Sequence, residues 1–245
     1  EVVHGHPFKN QILNAALVFP AATLVVPYAR FRATHLAHHH DEHLTDPYDD
    51  PETNYLDPAV WGRLTLPVQA VLRFNNRLVG RLSVGPLIGQ VSWMISDWRA
   101  WRRGDRDVLL GWLAHVPALI LMVSVVWAAP LPFWAYLIGA YIGLSLLRLR
   151  TYLEHRAHHS PRARTVVIED RGPMALLFLN NNFHVVHHMH PNVAWYKLPA
   201  MYCANRDHYL RRNDGYRYAS YGQVLRTYFW RAKDPVPHPL WRQGD

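Results

Sequence analysis

The 245-residue sequence predicts an all-α, integral membrane protein: a transmembrane helical hairpin joined to a cytoplasmic, histidine-rich domain. Three observations predict it: two long uncharged stretches, the placement of the arginines around them, and an excess of histidine. The stretches are Leu109 to Ala128, whose one ionisable residue is His115, and Leu131 to Leu147, parted by Ala129-Pro130. Each approaches the ~20 apolar residues that cross a hydrocarbon layer. Arg99, Arg102, Arg103 and Arg106 stand before the first, and Arg148, Arg150 and Arg156 follow the second. The turn between them carries no positive charge. That asymmetry puts both outer ends on the cytoplasmic side, with spans at 109–128 and 131–149. Trp112, Trp127 and Trp134 suit interfacial belts. A buried hairpin of a soluble protein is the alternative, and the lengths and flanks disfavour it. The mean hydropathy of −0.15 averages two crossings with a large polar remainder.

A third apolar stretch, residues 11–30, contains Pro20 and Pro27, which interrupt helical hydrogen bonding. It reads as interfacial or re-entrant, because a full crossing would strand His4 on the far side from the other histidines. Residues 59–98 mix apolar residues with Arg63, Arg73, Arg77 and Arg81 and read as an amphipathic cytoplasmic layer. No repeat or linker divides the chain, so residues 1–245 are one domain. It begins at Glu1 without an initiator methionine and reads as a fragment.

The net charge of +8 rests on 23 Arg and 3 Lys. Their position at the membrane boundaries removes the basic face that nucleic-acid binding needs. The single cysteine, Cys203, excludes a disulfide framework, a thiolate zinc site and an iron–sulfur cluster. Seventeen histidines remain to be explained. Three clusters share the spelling H-x-x-H-H: His35/His38/His39, His155/His158/His159 and His184/His187/His188. On a helix these positions share a face, so each cluster can aim imidazoles at one point. Imidazole donors suit iron, zinc, copper or nickel. A soluble di-iron bundle needs paired Glu-x-x-His motifs, and only Glu1-Val2-Val3-His4 has that spelling. A zinc protease would use H-E-x-x-H plus one ligand and leave most clusters unused. A metal transporter would carry ligands inside its crossings, where only His115 stands.

Read in order, these features resemble the membrane-bound fatty acid desaturase family, including its bacterial members and the related carotenoid ketolases and hydroxylases. Glu1-Val2-Val3-His4-Gly5-His6-Pro7 is similar to the end of the first histidine box, H-[DE]-x-x-H, whose leading histidine would precede Glu1. Thr34-His35-Leu36-Ala37-His38-His39, with Asp41-Glu42-His43-Leu44-Thr45-Asp46-Pro47 after it, resembles the second box. Arg150–Arg156 resembles the segment with a lone extra histidine, and Asn180–His188, with Pro191 and Trp195-Tyr196, the third box. The match runs from residue 1 to about residue 200.

The resemblance implies a di-iron centre on the cytoplasmic face of a bacterial inner membrane, with a further hairpin upstream of Glu1. Carried over by position, the metal ligands are His4, His35, His38, His39, His155, His184, His187 and His188, plus the histidine that would precede Glu1; no catalytic residue is added to them. It implies an O2-dependent desaturase acting on an acyl lipid, acyl-CoA or acyl-carrier substrate. A carotenoid ketolase or hydroxylase, or an acyl hydroxylase, shares the same boxes. An unactivated C–H bond needs an oxidant that a metal centre supplies. No flavin, haem or nucleotide fingerprint occurs, so electrons would come from a separate protein of ferredoxin, rubredoxin or cytochrome b5 type. The Arg- and Tyr-rich tail from Asn205 would cap the cytoplasmic domain and offer such a carrier a basic surface.

Carboxylates that accept the free imidazole N–H should orient the ligands. Asp41, Glu42, Asp46, Glu154, Glu169 and Asp170 are candidates, with Asp41 and Glu154 foremost. His158 and His159 depart from the family pattern and read as surface residues or as supports of the ligands, His159 among the latter. Asn180–Asn182 are expected to cap the helix of the third box, with Asn181 also a candidate for contact with the site.

Overall fold

A computed structural model describes residues 1–20, 23–40 and 42–241. The described residues are mostly helical. The two apolar stretches form α7 (Arg106–Ala128) and α8 (Phe133–Thr151), but among the described residues only α7 is both long and apolar enough to cross a membrane. Asp105 caps α7, accepting from the backbone N–H of Asp107 and Val108, and Pro132 ends the short turn and opens α8. Neither helix is a buried core element. Leu110, Ile120 and Trp127 of α7 and Trp134, Ile138 and Ile142 of α8 are exposed, Trp127 by 89%.

Residues 11–30 do not form one helix. Asn10 caps α1 (Gln11–Val18), the chain then breaks near Pro20, and α2 (Tyr28–His38) starts after Pro27. Ile12, Leu13 and Leu17 of α1 are exposed. Next come α3 (Pro58–Arg63), α4 (Leu66–Asn75), α5 (Leu78–Ser83) and the long α6 (Gly85–Arg102).

Charge locks three of these helices together. Arg30 of α2 donates two hydrogen bonds, of 2.7 and 3.0 Å, to Asp97 of α6, and Trp112 of α7 donates a third at 2.8 Å. Asp97 is buried, and a buried carboxylate is tolerated only when satisfied in this way. Gly111 lets the pair through: a Cβ there would lie 2.9 Å from the Arg30 side chain. The helix bearing the second histidine cluster is thus tied to α6 and α7.

After α8 the chain turns into a small mixed region. A two-stranded parallel sheet, β1 (Val167–Ile168) with β2 (Arg217–Tyr218), stands between α9 (Pro173–Leu177), α10 (His184–Met189), α11 (Leu198–Ala204), α12 (Arg206–Arg212) and α13 (Tyr221–Tyr228). This sheet is absent from the all-α expectation. Its strands have two residues each, too short for period-two patterning to register. The sheet helps to place α10: the Ile168 N–H donates to the Asn182 carbonyl, and the Val185 N–H to the Val166 carbonyl. One apolar core joins α8 to α13 through Leu149, Leu153, Ile168, Phe178 and Tyr221. A second packs Phe183, Val186, Leu198, Tyr202 and Tyr209 behind α10. The last segment turns back over the molecule, with Leu56 paired to Pro237 and Arg77 to Ala232.

Candidate metal centre

The eight histidines expected from the sequence converge into two groups of four. His4, His35, His39 and His187 form the first; His38, His155, His184 and His188 form the second. Within each group the nearest ring nitrogens lie within 4.8 Å of one another. The Nε2 atoms of His4 and His39 lie 3.1 and 3.2 Å from that of His35. In the second group His155 Nε2 lies 2.8 Å from His38 Nε2 and 3.1 Å from His184 Nε2.

The H-x-x-H-H spelling does not aim each cluster at one point, as the sequence suggested. It splits two of the three clusters between two points, and the third contributes His155 alone. His35 and His39, four residues apart at the end of α2, serve the first group, and His38 points to the second. His184 and His188 on α10 serve the second, and His187 the first. Residues i and i+4 lie almost directly above one another, whereas i+3 is offset around the helix, so one short helix supplies two adjacent centres.

Electrostatics leave most of these rings neutral. Burial, reinforced by neighbouring imidazoles, lowers His4 to about 3 and His39 to about 2. The same causes hold His155, His184 and His187 well below the ordinary value. A neutral imidazole keeps a lone pair for a cation. His38 is the exception: burial opposes its charge, yet Glu52 and Asp50 raise it to about 9. A set of nitrogen donors at this spacing, most of them buried and most neutral, fits two transition-metal ions.

Three groups orient the rings from behind. Glu52 Oε1 accepts from His35 Nδ1 at 2.9 Å, and Asp50 Oδ1 from His38 Nδ1 at 2.7 Å. Each contact leaves Nε2 free to face the centre. Asn181 Oδ1 sits 3.2 Å from His184 Nδ1, while its amide donates at 2.8 Å to the buried Glu154. Burial raises the Glu154 carboxyl, and Arg150, 3.3 Å away, opposes that rise. Asn181 and Glu154 therefore act on a ring. No asparagine side chain caps α10, whose N-cap is Phe183, so the capping expectation fails. Asn182 donates instead to the Ile168 and Asp170 carbonyls, and Asn180 to the Trp195 carbonyl.

The other candidates lie elsewhere. Asp41 falls outside the described residues. Glu42 is exposed, and Asp46 caps its own turn through the Tyr48 and Asp49 N–H groups. Glu169 binds Arg206, Arg217 and Tyr202, and Asp170 accepts from the Tyr221 N–H. His159 is exposed and outside both groups; His158 faces Asp214 at 3.5 Å. Sequence reasoning missed Asp50 and Glu52. The signal was the acidic run from Asp46 to Glu52, but only the turn reveals which carboxylates face inward.

Two adjacent four-histidine groups beside a long apolar helix offer nitrogen donors for a pair of metal ions. The family follows from comparison with known sequences. The model for "Fatty acid desaturase" matches residues 1–221, and the chain belongs to that family. It is similar to a beta-carotene ketolase of Paracoccus sp. (strain N81106 / MBIC 01143), at 27% identity over 81% of this chain and 67% of the relative. A beta-carotene ketolase of Paracoccus sp. (strain PC1) is 30% identical over 45% of this chain and 46% of its own length. These likenesses indicate an oxygen-dependent oxidoreductase.

Proposed function

We propose that this chain is a membrane-bound, O2-dependent di-iron enzyme that desaturates the acyl chain of a lipid. The observation that carries the reading is the pair of adjacent four-histidine groups, together with family membership. Two irons, when bound, supply the dioxygen activation that an unactivated C–H bond requires. His4, His35, His39 and His187 would hold one, and His38, His155, His184 and His188 the other. Glu52, Asp50 and Asn181 fix ring orientation, so the nitrogen donors are preorganised.

The exposed apolar faces of α7 and α8 support a membrane hairpin, since a soluble helix would bury them. With both outer ends at the cytoplasmic face of a bacterial inner membrane, the metal centre lies where an acyl chain can reach it from the bilayer. Residues 11–30 rest at the interface in this arrangement. The electrons come from a separate carrier protein of ferredoxin, rubredoxin or cytochrome b5 type. Acyl-CoA, carrier-bound and glycerolipid substrates all present the same methylene chain.

A second reading, ketolation of a carotenoid ring, is favoured by the names of both relatives. Both reactions begin by breaking a C–H bond at the expense of dioxygen, so the site chemistry is shared. The test is to express the full-length protein with an electron donor in a carotenoid-producing bacterium and analyse acyl chains and pigments by mass spectrometry. His187→Ala serves as the control. New double bonds absent from the control establish the desaturase, and keto-carotenoids establish the second reading. Protein that carries no iron and changes neither pool sinks both.

A further inference from the structure

The family match ends at residue 221, yet the chain beyond it returns to the metal centre. The Val79 N–H donates to the Phe229 carbonyl at 3.1 Å, and the Lys233 N–H to the Asn76 carbonyl at 3.4 Å. The Asn76 amide donates to the Asp234 carbonyl. Leu56 and the 236–238 segment then exchange two backbone bonds: Leu56 N–H to Val236 O at 3.0 Å and His238 N–H to Leu56 O at 2.8 Å. Residues 229–238 thus form a strap anchored at several points on the segments around Leu56 and Asn76.

The strap ends its inward reach at His155. The Lys233 ammonium, with a side chain only 12% exposed, donates to the His155 carbonyl and lies 3.6 Å from Asp234. Tyr55 OH donates to Asp234 at 2.5 Å and accepts from the Ala157 N–H at 3.0 Å. Two residues of one short loop, His155 and Ala157, are therefore held by one network. His155 needs such support. His35, His38 and His184 each have a partner at Nδ1, from Glu52, Asp50 and Asn181. His155 Nδ1 is buried without a hydrogen-bond partner. With no group behind the ring, its aim depends on where its main chain is held.

We infer that Lys233 is a positioning residue for the second metal: it fixes the His155 main chain and thereby aims the one ring of that group that stands on a loop between two other ligands. The inference rests on reading the two histidine groups as metal sites. It adds a structural requirement from a part of the chain that the family match does not include.

The test uses the full chain purified in detergent, with Co(II) as probe and visible absorption plus metal stoichiometry as readouts. Wild type should take up two ions. His39→Ala, which removes a donor from the first group, should keep one ion with the second group's spectrum. Adding Lys233→Met to His39→Ala should weaken that remaining ion about tenfold or more and change its spectrum. Lys233→Arg in its place should stay within about threefold of His39→Ala. Unchanged affinity and spectrum with Lys233→Met overturn the inference and leave the metal reading standing. Should Lys233→Met fail to fold, Tyr55→Phe decides, since it removes one hydroxyl from the same network. Weakening confined to the second group supports the inference; no change, or equal loss at both groups, overturns it. Wild type that binds fewer than two ions overturns both readings.

Discussion

Asp50 is a buried carboxylate that does two jobs at once. One oxygen accepts from His38 and from the Glu52 N–H, and the other from the Thr45 N–H. Asp50→Asn keeps the size and an acceptor but turns one position into a donor. Metal affinity at the His38 group should fall about 10- to 100-fold, with a smaller change at the His4 group, as measured by competitive chelation. Glu169 offers a test in pH. Hydrogen bonds from Arg206, Tyr202 and Arg217 hold its carboxyl at about 2 against the opposing effect of burial. Its unfolded value is about 4.3, so the unfolded chain binds the extra proton between these two values. The stabilisation is therefore complete above about pH 4.3 and is lost as pH falls toward 2. Thermal melts from pH 6 to pH 3 should show wild type losing stability more steeply than Glu169→Gln, with the gap between them narrowing on acidification. At this scale the histidines of the first and third clusters stood out through their shared spelling, whereas His4, and His155 without His158 and His159, came from the family resemblance alone. The orienting groups were less legible. Glu154 adjoins His155 in the chain and could be found, whereas Asp50 and Glu52 lie 12 and 17 residues from their rings, and a tight turn alone brings them back.

Among the elements, α7 and α8 were the clearest in the sequence, since long uncharged runs bounded by Pro and Arg have few other outcomes. The small sheet was invisible, and so was the splitting of α2 and α10 between two centres. That splitting depends on the twist of one helical turn and on what faces it, neither of which a motif encodes. The break within residues 11–30 followed from Pro20 and Pro27, and the resulting bend keeps His4 beside His35. The exposed face of α7 supports a direct prediction. Ile120 is 63% exposed; in lipid, Ile120→Arg costs about 2.5–3.5 kcal/mol, whereas in water an exposed substitution stays within about 0.5 kcal/mol. The variant should therefore insert poorly and leave the membrane fraction, read by fractionation and protease protection. Full membrane recovery with unchanged thermal stability would argue that this face meets water.

The whole molecule is organised around a centre that its own cohesion does not complete. Facing imidazole nitrogens about 3 Å apart are mutually repulsive as lone pairs unless a cation or a proton lies between them. Bound metal should therefore stabilise the folded chain by mass action, about 2.7 kcal/mol for each site at a hundredfold excess over Kd. Chelation should lower the melting temperature, and Fe(II) or Co(II) should restore it in two saturable steps. A chain whose melting is indifferent to chelator would contradict this account. The return of the tail over the molecule was expected, but the contact of Lys233 with His155 was not, because Lys233 stands alone in a Pro-rich tail with no periodicity to announce it.

The partition of ligands also governs how the protein is made. The first group takes His4, His35 and His39 from before α7 and α8, and His187 from after them; the second takes His38 from before, and His155, His184 and His188 from after. Neither group can gather its four histidines among the described residues until α10 has left the ribosome, nearly 150 residues beyond His39. At 5–20 residues per second that delay is on the order of ten seconds. During it the nascent chain displays at most three of these four histidines, which would be a weak and undiscriminating trap for whatever divalent ion is abundant. On the proposed metal reading, selection of the ion would thus fall after translation of the apolar pair, when both centres close together.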